Sequence, residues 1–443
     1  MADNEWRQTT VGVLCDEGVL HTQTGPFGSQ LHSYDYVPSG VPVVPTEGIG
    51  RRRLLTEGIP EVAEETAARL SRHRLKSGDI LFARRGVQAT GLSAIVTPKQ
   101  EGWLCGTGAI LLRVTGEAID PEFLSFFLSA EESVLWLKQH AVGAVMPNLN
   151  EGVIRQIPLT LPPLAEQKAI VAVLGALDDK IELNRRMNAT LEAMARALFQ
   201  SWFVDFDPVR AKLDGRQPTG LDSTTAALFP ATFQDSALGH IPLGWKAGTV
   251  NDAFNFTMGQ SPPGDTYNDE GNGLPFYQGR TDFGFRFPTR RIFCSAPARN
   301  AKAGDTLVSV RAPVGDINMA NEECCIGRGV AAVRHKTGAT SFTYHAMANL
   351  EPDFAKFEAE GTVFGSINKQ NFENLRFVIP PPEIVTAYER QAAPLDEQIY
   401  NLEHQSRTLA TLRDTLLPKL LSGALSVAVA AGQQDLQVQL EGR

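Results

Sequence analysis

Three arginines stand where a guanidinium could reach a phosphate or the edge of a nucleotide base. Arg84 and Arg85 follow the short apolar run 80–83, and Arg311 follows the run 306–310. Gly86 follows Arg85 directly, and Pro313 comes two residues after Arg311, so we expect the arginines at the start of loops. A guanidinium fork matches the acceptor pair of a guanine edge and, equally well, two phosphate oxygens. The alternative is an ordinary surface or structural arginine.

Two Gly/Pro/Ser loops and the end of one predicted strand supply further polar groups of this kind. Exposed amides and hydroxyls in such loops can approach phosphates, although a simple turn explains the loops equally well. Gln278 could pair with the edge of an adenine. Tyr277 beside it could contact a base edge, but packing in a hydrophobic core explains a tyrosine there equally well. The candidate contact residues are Gly25, Phe27, Gly28, Ser29, Gln30, Gln260, Ser261, Tyr277, Gln278, Arg280 and Thr281.

No recognisable catalytic motif accompanies these residues. The sequence has no Walker A motif, and its Pro-Pro segments lack the flanking residues of an adenine methyltransferase motif. Glu166-Gln167-Lys168 has the ExK spacing of nucleases, but a favourable acidic residue in a first helical turn explains Glu166 better. Five scattered cysteines lack the paired spacing of a zinc site. We therefore expect no active site, no metal and no cofactor on this chain.

Charge is distributed unevenly along the 443 residues, whose formal net charge is −9. Residues 51–85 contain nine basic and five acidic residues, and residues 280–311 contain seven basic and two acidic ones. Clustered Lys and Arg in both halves are compatible with a nucleic-acid partner despite the acidic total. Within the first window, Arg51, Arg52 and Arg53 are expected to contact a phosphate backbone or only solvent.

The composition is that of a globular protein of two or more domains. Hydrophobic residues make up 43% and charged residues 21%. No apolar run approaches the roughly 20 residues that span a bilayer. Residues 2–10 are polar, and they do not show the basic segment followed by an apolar stretch that is typical of a secretory signal. We expect a cytoplasmic protein without membrane association.

The two halves of the chain repeat each other. The corresponding segments, at offsets of 218 to 226 positions, are 143–150 with 361–368, 161–163 with 379–381, 177–181 with 395–399, 106–108 with 327–329, and 78–81 with 304–307. A match of this extent predicts two copies of one structural unit.

Each copy begins with a mixed α/β pattern and ends with a long helical one. Strands are predicted at Val41–Val44, Ile80–Ala83, Ala109–Val114, Thr306–Val310 and Val330–Arg334, and a helix is predicted over Pro121–Lys138. Apolar residues at 3-4 spacing, from 170 to 202 and from 388 to 420, predict two long helices that pair as an antiparallel coiled coil. The first, over 166–203, would be ~55 Å long. Asn184 and Asn188 interrupt its stripe, where they either fix the register or face solvent.

This layout resembles the specificity (S) subunits of type I restriction-modification enzymes. Residues 161–209 and 412–425 look like the central and distal conserved regions of that family. TGPFGSQL (24–31), GDILFARRG (78–86), LGHIPLGW (238–245), GQSPPG (259–264) and GDTLVSVRAPVGD (304–316) also look like family segments. Because the first Gly-Asp segment reads FARRG and the second VSVRAPVG, either Arg84 or Arg85 corresponds to Arg311.

The resemblance implies an α+β fold with a pseudo-two-fold internal repeat. Its expected parts are target recognition domain 1 (1–161), a central helical region (162–213), a linker (214–239), target recognition domain 2 (240–379), a distal helical region (380–425) and a tail (426–443).

The resemblance also implies a function and partners. The chain would read a bipartite, gapped site in double-stranded DNA and direct two methyltransferase (M) subunits and the restriction/motor (R) subunits. S-adenosylmethionine, ATP and Mg are expected on those partners. The apolar residues expected to remain free for them are Val171, Phe199, Trp202 and Phe203. The alternatives are an S-like scaffold or inhibitory protein without sequence readout and, less favoured, an enzyme of unrecorded type.

Overall fold

The computed structural model describes residues 6–86, 89–143, 147–359 and 365–427. The chain divides into unit 1, residues 1–181 with 408–443, and unit 2, residues 182–407. Three stretches named above, 144–146 and 361–364 of the repeated loop and 428–443 of the tail, lie outside the described residues.

Unit 1 has an α+β fold built on two four-stranded sheets. Its strands are β1 (Arg7–Thr10), β2 (Leu20–Thr24), β3 (Tyr36–Val37), β4 (Val41–Val44), β5 (Glu61–Val62), β6 (Ile80–Ala83), β7 (Ser93–Ile95), β8 (Leu104–Cys105), β9 (Ala109–Val114) and β10 (Pro158–Leu161). Its helices are α1 (Val11–Asp16), α2 (Glu64–Arg69), α3 (Pro121–Ser129), α4 (Glu131–His140) and α5 (Glu151–Arg155), and α6 (Leu164–Phe199) begins here.

The strand orders in unit 1 are β2-β9-β6-β7, all antiparallel, and β3-β5-β4-β8, in which β4 and β8 run parallel. Strand β6 is buried at all four residues, as its continuous apolar run predicts. A separate pair, β1 with β10, precedes α6.

Unit 2 has the same kind of fold. Its strands are β11 (Phe233–Ser236), β12 (Gly239–Pro242), β13 (Lys246–Thr249), β14 (Phe254–Met258), β15 (Tyr267–Asn268), β16 (Leu274–Tyr277), β17 (Phe293–Cys294), β18 (Asn300–Ala301), β19 (Thr306–Ser309), β20 (Ile317–Met319), β21 (Cys324–Ile326), β22 (Val330–His335) and β23 (Arg376–Ile379). Its helices are α7 (Asp207–Leu213), α8 (Ser223–Leu228), α9 (Val250–Ala253), α10 (Thr340–Asn349), α11 (Glu351–Ala359), α12 (Lys369–Glu373) and most of α13 (Pro382–Leu421).

The strand orders in unit 2 are β14-β22-β19-β20, all antiparallel, and β15-β17-β16-β21-β18, in which β16 and β21 run parallel. The sheets of the two units therefore share one plan, except that the second sheet of unit 2 has an additional edge strand, β18. The five strands predicted from the sequence are β4, β6, β9, β19 and β22, with bounds that differ by at most one residue. Residues 214–239, expected as a linker, include α8 and β11.

The predicted single helix over 121–138 is wrong. Asp120 caps α3, whose first residue is Pro121, but Ala130 has extended backbone torsions (φ −60°, ψ 149°) and separates α3 from α4. The hydroxyl of Ser129 donates to the carbonyl of Ser125 at the end of α3, and that of Ser133 donates to the carbonyl of Phe127 across the break.

The apolar stripes of the long helices are buried. In unit 1, Leu174 and Leu177 of α6 share a core with Leu416 and Leu420 of α13. In unit 2, Asn184 is fully buried, and its amide donates to Gln405 Oε1 (2.8 Å) and Ser406 Oγ (3.2 Å) of α13. Asn188 is also buried, so the solvent-facing alternative for both asparagines is wrong.

Candidate nucleic-acid interface

In unit 2, four segments meet at one end of the β14-β22-β19-β20 sheet and form a cleft. They are the end of β14, the two residues after β19, the turn before β22 and the loop before α12. The residues that line the cleft are Met258, Val310, Arg311, Arg328, Gly365, Ser366, Ile367, Asn368 and Lys369. This places one arginine predicted from the sequence, Arg311, beside two cations that were not predicted, Arg328 and Lys369.

Backbone hydrogen bonds fix the positions of these segments. The amide of Gly259 donates to the carbonyl of Val330 (2.9 Å), and that of Val310 donates to Gly329 (2.9 Å). The amide of Ile367 donates in turn to the carbonyl of Val310 (3.0 Å). The side chains at the cleft thus extend from backbone held at three points.

The cleft is strongly basic. Arg311, Arg328 and Lys369 are all exposed. Within the described part of the chain, the guanidinium groups of Arg311 and Arg328 make no hydrogen bond or ion pair, and Lys369 lies 3.5 Å from Glu373 on the next turn of α12. Exposed cations without a protein partner are available to phosphate oxygens and to base edges.

Unit 1 repeats this arrangement. The amide of Gly25 donates to the carbonyl of Ala109 (2.9 Å), that of Arg84 donates to Gly108 (2.9 Å), and that of Leu149 donates to Arg84 (2.8 Å). These bonds reproduce those of Gly259, Val310 and Ile367 in unit 2, one for one.

The pairing register settles which arginine corresponds to Arg311. Arg84 makes the backbone bonds that Val310 makes in unit 2. Arg85 forms a bridge with Asn148, and Arg311 forms the same bridge with Ser366, 218 positions after Asn148. Arg85 therefore corresponds to Arg311.

The two neighbouring arginines of unit 1 differ in their surroundings. Arg84 is half-buried, and its Nε donates to Asn148 Oδ1 and to the carbonyl of Leu149, both at 3.1 Å. Arg85 is exposed and its side chain has no hydrogen-bond partner within the described ranges. Arg84 thus supports the loop, whereas Arg85 is available to a ligand.

Glycine is required by close backbone approach at Gly25, a predicted contact residue, and at Gly259, which makes the same backbone bond in unit 2. A Cβ on Gly25 would lie 2.0 Å from the carbonyl oxygen of Gly106, and one on Gly259 would lie 2.2 Å from that of Gly327. No side chain fits at such distances, so glycine lets the two segments pack together. In contrast, a Cβ on Gly28 would meet nothing within 4 Å.

The Gly-Asp segments have a structural role. Asp79 accepts hydrogen bonds from Arg113 Nε (2.7 Å) and Nη2 (2.6 Å), and these bonds raise the pKa of Arg113. Asp305 and Arg334 form the equivalent pair in unit 2. The carboxylate also accepts the backbone amide of Lys76 in unit 1 (2.7 Å), which closes the turn before β6.

The remaining predicted contact residues divide by exposure. Phe27, Gly28, Ser29, Gln260, Gln278, Arg280 and Thr281 are exposed, Gln30 and Ser261 are half-buried, and Gly25 is buried. Arg280 pairs with Asp316 at 2.7 Å. Tyr277 is only 1% exposed and packs with Leu307 and Ile326, and burial raises the pKa of its hydroxyl. The prediction that Tyr277 reaches a base edge is therefore wrong.

The expected partner-binding residues are mostly inaccessible. Phe199, Trp202 and Phe203 are buried in the core of unit 2 against Phe342 and Tyr388 of the same chain. The prediction that these three aromatic side chains remain free is wrong, because the α/β part of unit 2 covers them. The fourth expected residue, Val171, is half-buried against the core of unit 1.

The described residues contain neither a candidate membrane span nor a cluster of metal ligands. None of the helices there has both the length and the apolar content needed to cross a membrane. Nor do three or more His, Cys, Asp or Glu side chains converge in those ranges as metal ligands would. The five cysteines are all free thiols.

Comparison with known proteins gives concordant results. The family model of the type I restriction modification DNA specificity domain matches the chain twice, at residues 34–193 and 242–405. The chain is 25% identical to the type I restriction enzyme HindI specificity subunit of Haemophilus influenzae, over 79% of this chain and 87% of that one. It is 23% identical to the MjaIX specificity subunit of Methanocaldococcus jannaschii, over 70% of both chains.

A solved structure supports the fold. The crystal structure of the type I restriction-modification system S subunit from M. genitalium aligns over 95% of this chain and 97% of that one, with a TM-score of 0.57 at 15% identity. The two matches of the family model together cover most of the sequence, and each covers most of one α/β region together with part of a long helix. The chain therefore belongs to the family of type I restriction-modification DNA specificity subunits.

Proposed function

We propose that each unit reads one part of a gapped, double-stranded DNA target and that the chain thereby gives a type I restriction-modification complex its sequence specificity. The observation that carries the proposal is the repetition of one arrangement. In both units the same backbone bonds present an exposed arginine, Arg85 or Arg311, at the end of the central sheet. The chain itself performs no chemistry and selects the DNA on which its partners act.

The side chains of the unit 2 cleft suit both kinds of DNA contact. Arg311 can offer two donors to a guanine edge. Arg328 and Lys369 can neutralise phosphates on either side of it, and Ser366 and Asn368 add short polar groups. Phosphate contacts would position the unit on the duplex, and base contacts would discriminate between sequences.

We infer further that the two units are copies of one ancestral unit and that α6 and α13 pair as an antiparallel coiled coil. The shared strand order and the shared bond pattern support the first inference. In unit 1, Asp178 of α6 bonds Arg413 of α13, and in unit 2 the hydroxyl of Tyr388 donates to the carbonyl of Ala195. Within unit 2, Asn184 contacts Gln405, and the later residue Ala195 of α6 contacts the earlier residue Tyr388 of α13, as antiparallel pairing requires.

The partners expected for such a subunit need an apolar surface. Leu183, Met187 and Met194 lie on one face of α6 and are 42–54% exposed. We propose that a methyltransferase subunit covers this face, and that two M subunits and the R subunits assemble on the chain. S-adenosylmethionine, ATP and Mg would then be bound by those subunits. Because the target is cellular DNA, we place the assembly in the cytoplasm.

The proposal can be tested by mapping adenine methylation at base resolution in cells that express the chain with its methyltransferase. We expect a two-part motif that disappears when the chain is deleted. Arg311→Ala should relax or abolish recognition of one part only, with a loss of about 1–3 kcal/mol in binding at that part. Arg390, an exposed arginine of α13 that does not line the cleft, provides the matched control Arg390→Ala. A motif that is unchanged on deletion would refute the proposal.

A further inference from the structure

In the described part of each unit, an arginine with little of its side chain exposed lies between the α/β part and the long helices. In unit 1 this is Arg52, whose Nη2 lies 3.2 Å from Glu122 of α3 and 3.3 Å from Asp178 of α6. Its guanidinium carbon lies 3.3 Å from the ring centre of Phe126, also on α3. The expectation that Arg52 contacts a phosphate backbone or solvent is therefore wrong, because its side chain is only 15% exposed.

Arg286 occupies the corresponding place in unit 2. Its side chain is completely buried, and its guanidinium pairs with Glu192 of α6 and Asp396 of α13. The guanidinium carbon lies 3.9 Å from the ring centre of Tyr344 on α10. The backbone amide of Arg286 also donates to Glu403 of α13 (2.9 Å).

The two clusters are equivalent positions of the repeat. Asp178 and Asp396 are separated by 218 residues, as are Phe126 and Tyr344, and this is the offset of the repeated helices and loops. Arg52 and Arg286 are separated by 234 residues, the same offset that relates Gly25 to Gly259. In both copies, an arginine side chain packs on an aromatic ring and pairs with an aspartate of a long helix. The surrounding loops differ between the copies.

The backbone at Arg52 adds a second indication that this contact matters. Arg52 has φ of +65°, in the left-handed region that non-glycine residues seldom occupy. Its amide donates to the carbonyl of Ser93 (2.7 Å), and its carbonyl accepts the amide of Ile95 (3.2 Å). Strained backbone of this kind persists where the surroundings require one particular side-chain direction.

A buried ion pair is a poor way to add stability. Removing two charges from water costs about as much as their attraction returns, and apolar residues of equal volume often serve as well. What the guanidinium adds is direction, because its donors and carboxylate acceptors align in few geometries. Apolar contact alone would let the α/β part shift on the helices, whereas an arginine fork selects one orientation.

We propose that Arg52 and Arg286 are positioning residues that fix the orientation of each DNA-reading region on its helices. This inference rests on the proposed function, because it concerns how Arg85 and Arg311 are presented to DNA. It predicts that the clusters determine how strictly the complex requires one number of base pairs between the two parts of its target. Neither arginine needs to touch DNA for this role.

The test replaces the pair and leaves no buried charge without a partner, because Arg413, which also bonds Asp178, keeps its ion pair with Asp414, and Glu122 is half-exposed. Arg52→Met combined with Asp178→Leu is assembled with the methyltransferase, and methylation rates are measured on targets whose gap is one base pair shorter, cognate or one longer. We expect the thermal midpoint to change by only a few degrees while the preference for the cognate gap falls at least fivefold. Arg52→Lys, which keeps the charge but loses the fork, should give an intermediate preference.

The matched control is Arg113→Met with Asp79→Leu, an ion pair within the α/β part of unit 1 that does not reach the helices. It should leave the gap preference unchanged. If Arg52→Met/Asp178→Leu keeps the full gap preference, or if neither it nor Arg52→Lys yields a folded complex, the positioning role is refuted. If the unaltered complex recognises no two-part target, the proposed function fails first, so the two failures are distinguishable.

Discussion

Arg84 and Arg85 are adjacent in sequence, yet their surroundings differ, and alanine substitutions should separate a structural role of Arg84 from the DNA-contacting role that we propose for Arg85. Arg84 is half-buried and donates two hydrogen bonds of 3.1 Å to the loop that contains Asn148 and Leu149. Hydrogen bonds from charged donors each contribute about 1.5–3 kcal/mol. Because one Nε–H is shared between two acceptors, we expect Arg84→Ala to cost about 2 kcal/mol in total. For a unit of this size, that lowers the thermal midpoint by about 4–8 °C.

Arg85→Ala should behave differently. Its exposed side chain has no hydrogen-bond partner within the described ranges, so the free energy of unfolding should change by no more than about 0.5 kcal/mol. If Arg85 reads a base, affinity for the cognate target should fall by about 1–3 kcal/mol, with little change on non-cognate DNA. If it contacts a phosphate instead, binding to all sequences should weaken and the salt slope should fall by about 0.9.

Calorimetry on the assembled complex and DNA titrations at several salt concentrations would measure both quantities. Arg85→Ala serves as the stability control for Arg84→Ala, since both remove the same side chain from neighbouring positions. The assignment would be refuted by the reverse pattern, in which Arg85→Ala lowers the thermal midpoint and Arg84→Ala lowers only DNA affinity.

Two further predictions follow from packing and from buried histidines. Gly25→Ala and Gly259→Ala should each lower the free energy of unfolding of their own unit by about 1–3 kcal/mol, because the added Cβ overlaps a carbonyl oxygen. Thermal unfolding measures this loss. Gly28→Ala, which meets nothing, is the control. Burial lowers the pKa of His335 to about 4 and that of His345 to about 3. Below pH about 6.5 the unfolded state therefore binds more protons than the folded state. The free energy of unfolding falls as the pH falls through this range, by about 2 kcal/mol per histidine at pH 5. His345→Phe should remove about half of that loss, and an unchanged pH profile would contradict the reasoning.

Much of the fold could be predicted because its signals are local. The continuous apolar runs 80–83 and 109–112 lie in buried central strands, and the residues with 3-4 apolar spacing form the two long helices. The break at Ala130 could not be predicted, because alanine favours helix and nothing adjacent to it is a usual helix breaker. The hydroxyls of Ser129 and Ser133 accompany the break by donating to backbone carbonyls. Serine can make such bonds in a continuous helix as well as in an interrupted one, so its presence in the sequence does not predict the break.

The site was only partly predictable, for a different reason. Successive residues of an extended segment point to opposite sides, so choosing between Arg84 and Arg85 requires the pairing register with Asn148. Burial of Trp202 and Tyr277 likewise depends on which distant elements cover them. Arg328 could have been found, because the repeat aligns the turn 327–329 with 106–108 and its arginine stands where the first copy has threonine.

The threonine at 107 and the arginine at 328 are one example of how the two units differ in side chains while they share a backbone arrangement. The backbone bonds and the buried arginine clusters are common to both units, whereas the side chains around the exposed arginine differ. Thr107 stands where unit 2 has Arg328, and Glu151 stands where it has Lys369. Glu151 accepts a hydrogen bond from Thr22 (2.6 Å), so it also has a place in the packing of unit 1. At these two positions unit 2 has two cations where unit 1 has a threonine and a carboxylate, whereas unit 1 has the half-buried Arg84 where unit 2 has Val310. Under the proposed function, we expect phosphate contacts to contribute more in unit 2, and shape and hydrogen bonding to contribute more in unit 1. A conserved framework with divergent side chains makes unequal half-sites the expected outcome.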